Sequence, residues 1–97
     1  MVHKDRQGNV VTLDKWADLW EDMTYRVVAE DDAHGVLVRT VWEGIDDIVG
    51  AMFATGISHD GGQKWVNRRE DARTEAEALV QHREVLQEFL GKGEPRT

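Results

Sequence analysis

Ninety-seven residues make one domain, and one of this size buries only roughly 60–65% of its extended-chain surface, so the core must be economical. Twelve basic against nineteen acidic side chains leave a net charge of −7, which argues against nucleic-acid and anionic-membrane binding, since both need a basic surface. With no cysteine there is no disulfide framework, thiolate nucleophile or Cys-ligated zinc.

The apolar share of 40% and the four tryptophans suffice for a packed core and exceed what a disordered chain carries. MVHKDRQGNVV lacks the apolar core of a signal peptide, and no stretch approaches the ~18 apolar residues of a membrane helix. The expectation is a single soluble domain over 1–97, with 1–9 as an N-terminal arm and 91–97 as a flexible tail.

In chain order, Gly8-Asn9 signals a turn and a short extended run follows at Val10–Thr12. Leu13, Trp16, Ala17, Trp20 and Met23 recur at helical spacing, predicting a helix over 13–23 capped by Thr12 or Asp14. TYRVVAE then reads as a strand, DDAHG as a turn and VLVRTVWEG as a second strand. Strict alternation puts Val36, Val38, Thr40 and Trp42 on one face, and Leu37, Arg39 and Val41 on the other. AMFATGIS is a third strand, HDGGQ a tight turn and KWVNRRE a fourth strand at an edge. Thr74-Glu75-Ala76-Glu77 has the form of a capping box. It opens a long helix with an apolar stripe of Ala76, Leu79, Val80, Arg83, Leu86, Phe89 and Leu90, stopped at Gly91. The order predicts an α+β domain: an antiparallel four-stranded meander with a short N-terminal helix and a longer C-terminal helix packed on it.

For chemistry, the acidic cluster Glu43, Asp46 and Asp47, with Glu30, Asp31 and Asp32 near it across the hairpin, offers oxygen ligands of the kind hard cations need. It lacks a D-x-[DN]-x-[DN]-G loop, and a solvated turn is the preferred reading. His3, His34, His59 and His82 show no H-x-x-x-H or H-E-x-x-H spacing. His82 lies beside the helix stripe, as a boundary histidine hydrogen-bonded to the sheet; Asp46, Asp47 and His82 together form the one polar or cation site worth testing. Ser58-His59-Asp60 holds three triad residue types side by side, an arrangement that cannot form a spatial relay. No cofactor or metal site is expected. Tryptophan and arginine dominate binding hot spots, so Trp42, Trp65, Arg68 and Arg69 form the candidate contact patch.

Asp5–Val10, Trp16–Glu21, Thr40–Asp46, Phe53–Ile57 and Thr74–His82 together resemble a family of small proteins encoded by bacteriophages and prophages, especially of actinobacteria. The likeness lies in a D-x-x-G-N-x-V start, a W-A-x-L-x-E helix, a T-V-W-x-G-x-D strand end and a T-E-x-E-A-x-x-x-H helix start. The chain departs from the family pattern at Ala54, where F-E-T-M-V has glutamate, and at Asp46-Asp47, where aspartate-histidine is usual. The resemblance implies phage origin, expression in the host cytoplasm or the virion, and no particular reaction. The combined expectation is a non-enzymatic binding module for a protein partner or for self-association. A small-molecule or nucleotide-signal binder with its pocket between subunits, and a structural virion component, are the alternatives.

Overall fold

The computed structural model describes residues 2–46 and 51–93. Helix α1 (Leu13–Trp20) and a short α2 (Met23–Arg26) precede strands β1 (Val27–Ala33), β2 (Val36–Trp42), β3 (Phe53–Ser58) and β4 (Val66–Arg69), and α3 (Glu75–Gly93) ends the described chain. The strands lie in sequence order, β1-β2-β3-β4, each antiparallel to the next. This is the α+β meander that the sequence predicts.

The boundaries move for local reasons. The helix expected over 13–23 stops at Trp20, because the Asp22 carboxylate accepts from the Tyr25 amide at 3.2 Å and caps a new turn. That turn, Met23–Arg26, takes up the start of the expected strand, so the first strand begins only at Val27. Thr12 caps α1 by accepting from the Lys15 amide, and the expected extended run pairs only briefly, Val10 bridging to Lys4 and the Val11 amide donating to the His3 carbonyl at 2.9 Å. The β1–β2 turn shrinks to His34-Gly35, whose φ angles of 55° and 86° are those of a two-residue hairpin turn. Gly91 does not stop α3, which continues to Gly93.

One sheet face carries the core. Val38, Thr40 and Trp42 on β2 stand opposite Ile57, Thr55 and Phe53 on β3, and five of the six are under 1% exposed or nearly so, Ile57 being 6%. Trp42 and Phe53 pack with Met52, Ala72 and Ala78, and Trp16, Leu19, Trp20 and Tyr25 close over them from the N-terminal side. Val38 and Ile57 pack with Val85 of α3. Truncating a buried aromatic such as Trp42 or Phe53 to alanine removes about 3–5 kcal/mol.

The first half of α3 packs in a different phase from the expected stripe, and the second half keeps it. Its inner residues are Ala78, Gln81, His82 and Val85, with Leu86 and Phe89 of the expected stripe packed beside Val85, while Leu79 and Val80 face out. The helical period is obeyed, but the face is chosen by the sheet. Thr40 and Thr55 present hydroxyls there, and a buried hydroxyl needs a polar partner, which the helix supplies.

The first residues form no free arm. The Lys4 amide donates to Gly44 at 2.9 Å and the Asp46 amide to Val2 at 2.9 Å, while the Lys4 carbonyl accepts from the Trp42 indole at 2.9 Å. Gly44 makes this crossing feasible: its φ is 75°. A Cβ there would stand 2.6 Å from Trp42 Cε2 and 2.8 Å from the Lys4 carbonyl. The glycine of TVWEGIDD thus serves the close passage of two backbones over a tryptophan.

Candidate functional site

Two polar features stand out, one inside the molecule and one on its surface. Inside, the Gln81 amide nitrogen donates to Thr55 Oγ1 at 3.0 Å and to the Arg69 carbonyl at 3.3 Å. Since Thr55 Oγ1 is thereby an acceptor, its own proton goes to Thr40 Oγ1, 2.6 Å away. The Thr40 proton then goes to His82 Nδ1 at 2.9 Å. His82 Nε2 remains as the donor to Asp31 Oδ2 at 2.8 Å. Proton positions assigned through the network in this way place a hydrogen on Nε2, facing Asp31. Gln81 Oε1 has no partner among the described residues.

A hydroxyl, an imidazole and a carboxylate in line resemble a nucleophilic relay. Here, however, the Thr40 side chain is 0% exposed in the middle of the core, where no substrate reaches it. The arrangement orients a helix on a sheet.

The surface feature lies on the face that α3 leaves uncovered. Alternation brings Leu37, Arg39 and Val41 of β2 beside Ala54, Gly56 and Ser58 of β3. Among the described residues no helix crosses this face; α2 only borders it through Met23 and Arg26. Ala54 and Gly56 are small, and over them lies a depression of about 210 Å³. A neighbouring hollow of about 200 Å³ shares Glu43, Ala54 and Asn67 with it, so the two form one trough.

The trough's polar walls are held in place. The Arg39 guanidinium pairs with Glu30 and lies 4.3 Å from the Trp65 ring centroid, a cation–π contact. The Trp65 indole N–H is fixed by the Gly62 carbonyl at 3.0 Å. Arg26 stacks 3.5 Å from the Trp20 ring centroid, donates to the Trp42 carbonyl at 3.2 Å and stands 3.6 Å from Glu43. Burial pushes the Glu43 carboxyl above its ordinary range, opposed by Arg26 and reinforced by Glu70, and burial also lowers Arg26. Each guanidinium already faces a carboxylate, so the lining is amphipathic and close to neutral. Such a trough suits a mixed polar and apolar group better than a free anion.

The expected contact patch divides. Trp65 is half-buried on the uncovered face beside Arg39. Arg68 and Arg69 reach instead to α3, where Arg68 meets Glu88 at 2.7 Å and Arg69 meets Glu84 at 2.6 Å, and Arg69 also pairs with Asp71, before that helix, at 3.2 Å. Trp42 is a correction: at 0% exposure it belongs to the core and offers no partner a surface.

The polar set divides too. Asp46 binds Lys4 Nζ at 2.6 Å and Arg73 at 3.4 Å, and the Lys4 hydrogen bond holds its carboxyl below the usual range. His82 serves Thr40 and Asp31, so the two belong to separate networks; Asp47 lies outside the described residues. Glu30 and Asp32 do not approach Glu43 either, since their register partners are Arg39 and Leu37, at the other end of the hairpin. Among the described residues no group of three His, Asp or Glu side chains is placed to hold a metal ion. Ser58 and Asp60 close a loop: Ser58 donates to Asp60 at 2.8 Å, and Asp60 Oδ1 accepts from the Gln63 and Lys64 amides.

Arg26 and Arg39 are trough residues that sequence reasoning did not select, and Glu43 it weighed only as part of an acidic cluster with Asp46 and Asp47. For Arg39 the signal was present, a lone arginine between Leu37 and Val41 on one strand face. For Arg26 none was, because its position depends on the α2 turn. No helix among the described residues is long and apolar enough to cross a membrane. Comparison with protein-family models, with curated proteins and with solved structures found no match to this chain.

Proposed function

We propose that the protein is a non-enzymatic binding module, of phage or prophage origin as the resemblance implies, and that the uncovered sheet face is its working surface. The observation that carries this reading is the trough over Ala54 and Gly56, walled by the Arg39–Trp65 stack. Its side chains are pre-positioned by internal hydrogen bonds, which lowers the entropy lost on binding. Tryptophan and arginine, the types that wall this depression, are the residue types that anchor interfaces. The preferred occupant is a partner protein's side chain. A small-molecule ligand is the second reading, favoured by the paired arginines, Arg26 and Arg39, in so small a hollow.

Affinity capture from host lysate tests the assignment, comparing the natural chain with the Trp65→Ala, Arg39→Ala double variant, which changes only half-buried positions. A partner or small molecule retained by the natural chain and lost from the variant supports the reading. Identical retention by both removes the trough from consideration.

A further inference from the structure

The trough is close to neutral as a whole, but its charges are unevenly spread along it. One part has Met23, Val41 and Trp65 as walls and Ala54 and Gly56 as floor. Arg39, beside it, is already engaged by Glu30 and by the Trp65 ring. The adjoining part is lined by Glu43, Asn67 and Glu70. Glu43 follows β2 and Glu70 follows β4, with Ala54 of β3 between them. Arg26 stands 3.6 Å from Glu43. Glu70 accepts from the Asn67 amide nitrogen at 2.7 Å but has no ion pair among the described residues. At this end of the trough one carboxylate charge is left unanswered, and Glu70 adds to the raising of the Glu43 carboxyl.

We propose that the trough takes a lysine side chain of a partner protein. The stem lies over Ala54 and Gly56 between Val41 and Trp65, and the ammonium rests between Glu43 and Glu70. This inference deepens the reading of the trough as the working surface and rests on it. Charge complementarity selects the occupant. Lysine buries its methylenes along apolar surface while its ammonium stays hydrated; the buried floor receives the first and the exposed Glu70 the second. Arginine fits less well, because it gains most by stacking on an aromatic ring, and the indole in the wall already carries Arg39. An anionic group would meet Glu43 and Glu70 with no free arginine to answer it. Exposed ion pairs contribute little each, so a lone lysine binds at about millimolar, and the partner's other contacts supply the rest.

Nuclear magnetic resonance of the full chain tests this, with the Trp65 indole N–H and the Ala54 and Gly56 amides as reporters. The probes are N-acetyl-lysine N-methylamide and its uncharged counterpart N-acetyl-norleucine N-methylamide, which keeps the stem and lacks the ammonium. The lysine probe should shift these resonances saturably and bind about fivefold tighter than the norleucine probe. Acetylating the probe's side-chain nitrogen should remove that advantage. Glu70→Gln, at an exposed position where the amide oxygen still accepts from Asn67, should weaken the lysine probe about threefold and so narrow the gap. Equal binding of the two probes, or a gap that Glu70→Gln leaves intact, overturns the lysine assignment while the trough stands as a binding surface. If neither probe moves the Trp65 indole up to about 50 mM, the lysine assignment falls, and lysate capture alone then decides whether the trough falls with it.

Discussion

His82 spends both ring nitrogens inside the molecule, one on Thr40 and one on Asp31, and its ring is 3% exposed. Removing it therefore strands a buried hydroxyl. His82→Phe keeps the volume but leaves the Thr40 proton with no acceptor, a loss of about 1–3 kcal/mol for an unpaired buried group. The expected cost is about 2 kcal/mol, read from the urea midpoint. A double-mutant cycle with Thr40→Val separates this bond from general damage, because deleting both partners leaves neither one stranded. The coupling should be about 1 kcal/mol; additivity within about 0.5 kcal/mol would mean that the two side chains share no bond worth the name. The same residue shows what the sequence can and cannot say. A histidine bonded to the sheet was legible from its place beside the helix stripe. Its partners were not, because Asp31 and Thr40 lie far away in sequence and only register brings them to one face.

At the scale of elements, local chemistry was most legible where a residue can act in a single way. Thr74 caps α3, with the Glu77 amide 3.1 Å from its hydroxyl, and the alternation of β2 placed Trp42 and Arg39 on opposite faces. Leu86 and Phe89 of the expected stripe do pack inward, but the phase of the first half of α3 was illegible, because counting apolar residues favours a stripe through Leu79 and Val80. The packing instead matches Gln81 and His82 to the two threonines. Polar groups that satisfy one another can be buried at little net cost, and hydropathy carries no record of that match. The β1–β2 hairpin offers a test of element-level reasoning. Its turn requires φ > 0 at both central residues, and His34 holds 55°, a conformation that asparagine adopts more readily than most residues. Because His34 is exposed, His34→Asn should stabilise the fold by roughly 0.5 kcal/mol. That corresponds to about 2–4 °C in Tm for a domain of this size. A fall in Tm would show that the His34 side chain makes a contact worth more than the relieved backbone.

For the whole molecule, four carboxylates among the described residues shift the dependence of stability on pH, and they pull in opposite directions. Asp46 is held below its ordinary value of 3.8 chiefly by its hydrogen bond from Lys4, Asp60 chiefly by the Lys64 amide, and Asp71 chiefly by Arg69. Each folded-state pKa is depressed, so each stabilising contribution is present above 3.8 and is lost as pH falls through the lowered value. Glu43 behaves the other way. Burial raises its pKa from 4.5, the folded chain holds that proton longer than the unfolded one, and stability declines as pH rises from 4.5 through the raised value. The two limbs differ in origin, which makes them separable. The three aspartates are exposed and act through contacts that salt and solvent screen, whereas Glu43 shifts through desolvation, on which salt has little hold. Urea midpoints across pH should therefore show an acid limb below 3.8 that is shallower in Asp60→Asn and in high salt. They should also show a gentle fall above 4.5 that salt leaves in place and Glu43→Gln abolishes. If Glu43→Gln leaves the slope above 4.5 unchanged, the carboxyl that borders the trough is not desolvated, and the trough is more open to water than its lining implies.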